Sequence, residues 1–167
     1  MIYVLAAVER NIKSAVENKN IKIRKATEKD FNSLYEIGLK TLEFKVSSNE
    51  EFMDQDEFLS ALKSIRGIFL LAEVEKEIVG FIYAHRKDEL KMQKKWACLT
   101  YLVTKPEYRK IGIAQKLYDR CLKELKVLGI TNLYVWANCE SDRSIIYFMK
   151  KNGFSEGHKY VWMDKKI

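Results

Sequence analysis

Between residues 113 and 128, Ile113, Leu117, Cys121, Leu125 and Leu128 recur at helical spacing, while Lys116, Asp119, Arg120, Lys123, Glu124 and Lys126 occupy the opposite face. A helix with such a stripe must bury it against another element, and Gly129 stands where a helix stops. Directly afterwards, Leu133-Tyr134-Val135-Trp136-Ala137 is apolar on both alternating faces, which predicts a central strand covered on both sides of a sheet. Ahead of the helix, residues 97–103 read as a further strand. A sheet with helices packed on it accounts for all three segments.

The remaining elements extend that scheme. Ile21-Lys22-Ile23-Arg24 alternates as a strand. Thr27, with Asp30 three residues on, can cap a helix carrying Phe31, Leu34, Tyr35, Ile37 and Leu42. A second helix covers residues 57–65. Residues 68–74 and 78–84 are rich in apolar and β-branched side chains around Glu75-Lys76-Glu77, which predicts a hairpin. A last helix runs over residues 142–151 and ends near Gly153, with a terminal strand region, one strand or two, over residues 154–163. Residues 1–17 carry Leu5, Val8, Ile12 and Ala15 or Val16 at helical spacing and form an N-terminal helical appendage.

The chain has 167 residues, 47% of them hydrophobic, enough for one buried core and too few for two ordinary domains. No stretch approaches the roughly 18 apolar residues of a membrane span, and no basic region precedes the short apolar stretch at residues 1–8. The expectation is a soluble cytoplasmic protein without a membrane partner. Cys98, Cys121 and Cys139 are odd in number and widely spaced, which gives neither a disulfide framework nor a zinc site; Cys98 and Cys139 are expected to be buried and inert. His85 and His158 have no metal-ligand spacing and read as ordinary strand or loop residues. Charge is unevenly spread: residues 86–167 hold 18 Lys or Arg against 9 Asp or Glu, whereas residues 1–85 hold 12 against 14. The basic half is suited to an anionic partner, either nucleic acid or a phosphorylated cofactor.

Pro106-Glu107-Tyr108-Arg109-Lys110-Ile111-Gly112-Ile113-Ala114 joins the strand ending near Val103 to the best-defined helix. A turn there exposes unpaired N–H groups at a helix N-terminus, where the helix dipole also favours an anion. Gly112 and Ala114 leave room for a close phosphate, and Arg109 and Lys110 add positive charge. Neither G-x-x-x-x-G-K-[ST] nor G-x-G-x-x-G occurs, which leaves coenzyme A as the phosphorylated cofactor.

Arg109-Lys110-Ile111-Gly112-Ile113-Ala114 resembles the [QR]-x-x-G-x-[GA] signature of the GNAT acetyltransferases. Glu77-Ile78-Val79-Gly80-Phe81 resembles the family's second hairpin strand, and Lys150-Lys151-Asn152-Gly153-Phe154 its late K-x-G-F element. The match covers residues 21–165 and implies an α/β (α+β) GNAT fold: a mixed, mostly antiparallel sheet of six to seven strands flanked by about four helices, with residues 1–20 as an extension. It also implies acetyl-CoA as cosubstrate, with the pantetheine arm gripped by Leu102, Val103 and Thr104 and the pyrophosphate held by Arg109, Lys110, Ile111, Gly112, Ile113 and Ala114. Asn138, after the next strand, completes that set. An acceptor amine attacks the thioester directly, without a metal.

Two positions depart from the family's pattern. Its frequent catalytic tyrosine stands four residues before the late glycine, where this chain has Met149; Tyr147 is the nearest hydroxyl and the candidate catalytic residue. Trp96-Ala97-Cys98-Leu99-Thr100-Tyr101 lacks the glutamate that relatives often carry, and Asp88 and Glu89 precede it. A coenzyme A-binding regulator without catalysis is therefore the alternative function. A nucleic-acid module has only the basic half and Tyr108, Tyr134, Trp136 and Tyr160 in its favour, with no matching signature and most of these rings in strands expected to be buried. Residues 49–57 carry five acids and no Lys or Arg, which favours a cationic amine acceptor. Monomer and homodimer both remain open.

Overall fold

In the computed structural model, which describes residues 20–45, 47, 52–87, 95–139, 143–163 and 165, a hairpin forms the middle of the molecule. β2 (Gly67–Val74) and β3 (Glu77–Arg86) run antiparallel around Glu75 and Lys76, whose φ angles are 51° and 72°. Two positive φ angles in a two-residue turn match the right-handed twist of the strands they join. β1 (Ile21–Lys25) pairs antiparallel with β2, and β4 (Trp96–Thr104) antiparallel with β3. β5 (Asn132–Val135) lies parallel to β4, giving a mixed sheet in the order β1-β2-β3-β4-β5.

Both faces of the sheet are covered, by different helices. α1 (Phe31–Leu39) and α2 (Gln55–Lys63) pack on one face, where Leu34, Ile37 and Phe58 meet Phe69, Leu71, Phe81, Tyr83 and Val103. Nine Phe and Tyr rings belong to this side's cluster among the described residues, and Phe58 touches Phe31, Tyr35, Phe52, Phe69 and Phe81. α3 (Ile113–Val127) packs on the other face, with Ile113, Leu117, Cys121 and Leu125 against Leu70, Ala72, Ile82 and Leu99. α4 (Ser144–Lys151) joins that second core through Met149. Strand alternation produces the two cores: Phe69 and Leu71 face one way, Ile68, Leu70, Ala72 and Val74 the other.

Two bulges interrupt the alternation. One falls between Ala72 and Glu73 in the β2–β3 register, the other between Tyr83 and Ala84 in the β3–β4 register, where Tyr83 pairs with Tyr101 and Ala84 with Leu99. Thr100 is the extra residue of the second bulge. As a result, Leu99 lies in the α3 core and Tyr101 against the α1–α2 core, although two residues separate them.

Several sequence expectations are corrected. Five strands are present among the described residues rather than six or seven, because residues 154–163 carry no strand and leave Tyr160, Val161, Trp162 and Met163 exposed. β5 is an edge strand and not a central one: Leu133 and Val135 pack on the α3 side, while Trp136 is 68% exposed. Leu42 lies outside α1, which ends at Leu39, and is exposed in a separate turn of 3-10 helix. α2 starts and ends two residues earlier than expected, leaving Ile65 exposed, and Leu128 lies beyond the end of α3. Cys98 and Cys121 are buried, but Cys139 is exposed. Residues 1–17, Asp88 and Glu89 lie outside the described residues.

Candidate active site

β4 and β5 are paired only from Trp96↔Asn132 to Leu99↔Val135. Past that point β4 continues through Thr104, while the chain after Val135 leaves the sheet, so the two strands part at Thr100. Among the described residues, the β4 edge from residue 100 to 104 has no strand beside it on that side and presents backbone N–H and C=O groups to the opening. Leu102 turns its side chain to the α3 core and Val103 to the α1–α2 core, which leaves their backbone to line the gap. Thr104 is buried, and its Oγ1 has no hydrogen-bond partner among the described residues. A buried hydroxyl without a partner is costly, so one that persists beside an opening fits a ligand group.

The strand leads into the turn singled out in the sequence. Pro106–Tyr108 form a single turn of 3-10 helix, tied down by Glu77, which accepts hydrogen bonds from Lys105 Nζ (2.6 Å) and Tyr108 Oη (2.7 Å). That bond holds the Tyr108 phenol up at about 12. Lys110 (φ 65°) and Gly112 (φ 86°) both adopt left-handed backbone, Lys110 at the steric cost of a side chain in that region. Ile111 and Ile113 anchor the turn by packing into the core beneath it. Gly112 caps α3 without any side-chain hydrogen bond, so the first N–H groups of the helix stay free for an anion. A Cβ built on Gly112 meets nothing within 4 Å, which describes open space in front of the turn. Lys110 is exposed and makes no ion pair among the described residues. Arg109 turns back, donating from Nε to the Thr104 carbonyl (3.1 Å) and approaching Glu43 at 3.8 Å. The structure thus brings residues 102–104 and 109–114 into one continuous path, with Arg109 as the clasp between them. Asn138 is half-buried beyond the end of β5.

On the α1–α2 side of the opening, the rings of Phe44 and Phe52 pack on Tyr101 at 4.8 and 5.3 Å. Burial pushes the Tyr101 phenol up to about 12, with a smaller contribution from the negative charge of Glu57. Phe52 and Met53 are half-buried here; residues 49–51 lie outside the described residues. Asp54 caps α2, its Oδ1 accepting from Asp56 N–H (2.8 Å). Cys98, below the point of divergence, is held up as a thiol by burial, which removes it as a nucleophile at neutral pH. His85 on β3 contacts Thr100 through Nδ1 at 3.0 Å, a pairing that the 15-residue separation hid from sequence reading. Tyr147 lies on the outer face of α4, 65% exposed, while Met149 takes the inward place.

The profile of the acetyltransferase (GNAT) family matches residues 31–154, and the chain belongs to that family. It is accordingly an acetyltransferase whose acyl donor is acetyl-CoA. Solved structures show the same fold. An aminoglycoside acetyltransferase from an uncultured soil metagenomic sample, in complex with sisomicin, superposes with a TM-score of 0.68 at 19% identity, over 88% of this chain and 96% of that one. A transcriptional regulator from Bacillus halodurans gives 0.70 at 19%, over 87% and 100%. An aminoglycoside N-acetyltransferase in complex with CoA gives 0.66 at 15%, over 90% and 97%. No curated protein matches the sequence.

Proposed function

We propose that the protein transfers the acetyl group of acetyl-CoA to a primary amine that is cationic in solution, by direct attack while both substrates are bound. The observation that carries this reading is the continuous path from the free edge of β4 to the uncapped N-terminus of α3. Leu102, Val103 and Thr104 would hold the pantetheine arm through their backbone, and residues 109–114 the pyrophosphate; bound there, acetyl-CoA supplies a thioester carbonyl activated toward nucleophiles. The exposed Lys110 and the free N–H groups of α3 favour the phosphate charge. Asn138 is assigned to the pantetheine arm on the far side of the opening, and Tyr147 to protonating the departing thiolate.

A cationic acceptor is supported by the acids at the α1–α2 side. Glu57 projects a negative field that reaches both Tyr83 and Tyr101 beside the opening. Two of the similar structures are named as aminoglycoside acetyltransferases, enzymes of amine-bearing acceptors. No carboxylate stands on β4, the observation that favours a second reading in which the protein binds coenzyme A as a regulator without turnover.

Calorimetric titration with acetyl-CoA, followed by thiol release in the presence of spermine, an aminoglycoside or a neutral arylamine, separates these readings. Binding with turnover of the cationic amines supports amine acetylation; binding with no thiol release from any amine supports the regulator; no binding overturns the cofactor assignment.

A further inference from the structure

Helices α1 and α2 cover the β1–β3 portion of their face, but the part formed by Cys98, Thr100 and Tyr134 belongs to neither buried cluster among the described residues. His85 stands at the border. Its ring stacks on Tyr83 (5.8 Å, 27°), which fixes it to the acceptor side, and its Nδ1 lies 3.0 Å from Thr100 Oγ1. Thr100 is the bulged residue at the point where β4 and β5 part. From Thr104, where the strand joins the pyrophosphate turn, four residues of strand reach back about 13 Å to Thr100, a span an extended pantetheine arm covers. The reacting carbonyl would therefore lie beside the one place, among the described residues, where a half-buried imidazole and a hydroxyl touch. Nε2 of His85 has no partner among the described residues.

We propose that His85 and Thr100 together form the proton acceptor for the attacking amine, taking the place of the carboxylate missing from β4. The inference rests on the amine-acetylation reading above. The ammonium first loses one proton to water; the free amine nitrogen then forms its bond to the carbonyl carbon and becomes strongly acidic as it does so. One N–H proton passes to Thr100 Oγ1 while the Thr100 hydroxyl proton passes to His85 Nδ1. The carbonyl π pair, pushed onto oxygen by the attack, returns as the C–S bond breaks; the thiolate leaves and takes the proton of the Tyr147 hydroxyl, which water restores, and the imidazolium releases its extra proton to water.

The chemistry requires a ring that is neutral at working pH and carries its hydrogen on Nε2, so that Nδ1 accepts. Burial lowers the His85 pKa from its ordinary value, which keeps the ring neutral. The titratable and charged groups around it are Tyr83 on its own strand, Cys98 directly across on β4, Tyr134 one strand further, Lys87, whose charge reaches Cys98, and Glu57, whose field reaches Tyr83. Tyr83 and Cys98 are both held in their neutral forms by burial, so neither competes for the proton.

The chain has two histidines, which makes the test direct. In 15N-labelled protein with the exposed His158 replaced (His158→Gln), a single imidazole remains, and its nitrogen shifts report tautomer, titration and proximity to ligand. The expected result is an Nε2–H tautomer that titrates below free histidine and whose resonances move when acetyl-CoA is added. With spermine as acceptor, His85→Gln and Thr100→Val should each lower kcat about 10²–10⁴-fold, leave the KM for acetyl-CoA unchanged, and abolish the loss of kcat on the acid side of the pH profile. An Nδ1–H tautomer, resonances unmoved by saturating acetyl-CoA, or a folded His85→Gln protein that keeps its kcat and its acid limb overturns the proposal. Failure to bind acetyl-CoA at all would instead remove the reading on which it rests.

Discussion

Gly112 combines a φ of 86° with empty space where a Cβ would stand, so two substitutions there separate backbone strain from ligand exclusion. Gly112→Ala meets no atom and should cost only the left-handed strain of an L-residue, about 1–2 kcal/mol of stability. Gly112→Asp adds a negative charge at the anion site as well, and should lower acetyl-CoA affinity by an order of magnitude or more, about 1.4 kcal/mol, by calorimetry on protein whose folding is confirmed by circular dichroism. Tyr147→Phe keeps the ring and removes the proton; if this hydroxyl serves the leaving thiolate, kcat should fall about 10²–10⁴-fold with the KM for acetyl-CoA unchanged, and full turnover would return the role to water. Asp30 tests a different property. Arg24 donates to Asp30 from both terminal nitrogens (2.8 and 2.7 Å) and to Glu73 from Nε and Nη2 (2.8 and 2.7 Å), so the first strand, the turn before α1 and β2 meet in one ion cluster. The guanidinium, aided by Thr27, holds the Asp30 carboxyl at about 2 rather than 3.8. A depressed carboxylate contributes stability above its unfolded pKa and loses it as pH falls through the folded one. About 2 kcal/mol should therefore disappear between pH 4 and 2, and urea unfolding of Asp30→Asn should show that acid-side slope reduced.

At the scale of elements, the β3–β4 pair sets the geometry of the cofactor path, and Gly80 on β3 pairs with Thr104 at its end. A Cβ at Gly80 would fall on the Val103 carbonyl oxygen and 3.1 Å from Thr104 Cα, both backbone atoms that cannot rotate away. Gly80→Ala should thus displace the grip strand, lowering the melting temperature and acetyl-CoA affinity together, whereas Gly153→Ala, left-handed but meeting nothing within 4 Å, should affect stability alone. Much of this level was legible beforehand. The hairpin declared itself through β-branched runs around Glu75 and Lys76, and α3 through a stripe that the structure buries from Ile113 to Leu125. Less legible were features that depend on register. Leu99-Thr100-Tyr101 sits in a run apolar enough to be buried on either face, so the pattern could not reveal that Thr100 is the bulged residue. The same ambiguity made β5 read as central: Leu133 and Val135 do face a helix, but Tyr134 and Trp136 face a side that no described helix covers. His85 and Thr100 meet across β3 and β4 beside the bulge, 15 residues apart in sequence, and no local signal announces it.

For the molecule as a whole, the uneven charge takes on a direction. The basic half contains the cofactor turn and α3, while Asp54, Asp56 and Glu57 lie on the opposite face of the sheet at the start of α2. An anionic cofactor and a cationic acceptor can thus be drawn to separate sides of one opening. Rising salt should weaken the binding of both, and Glu57→Gln should raise the KM for spermine, measured by thiol release, while leaving the KM for acetyl-CoA unchanged. A KM for spermine that ignores both salt and the substitution would refute the cationic-acceptor reading.

The bulge at Thr100 also constrains how the chain can change in length. Most insertions and deletions are tolerated where a loop can absorb them. Loss of Thr100 itself would leave Leu99 and Tyr101 consecutive, opposite Ala84 and Tyr83 as now and each still on its own face, whereas loss of a residue elsewhere in the strand would turn the side chains beyond it to the opposite face. Thr100 is thus the place in β4 where a codon can be lost without scrambling both cores and the lining of the cofactor path. Away from that bulge, evolution can rewrite the letters of β4 far more freely than it can alter their number, and the reading frame of side chains along this strand is a heritable feature as binding as any individual residue in it.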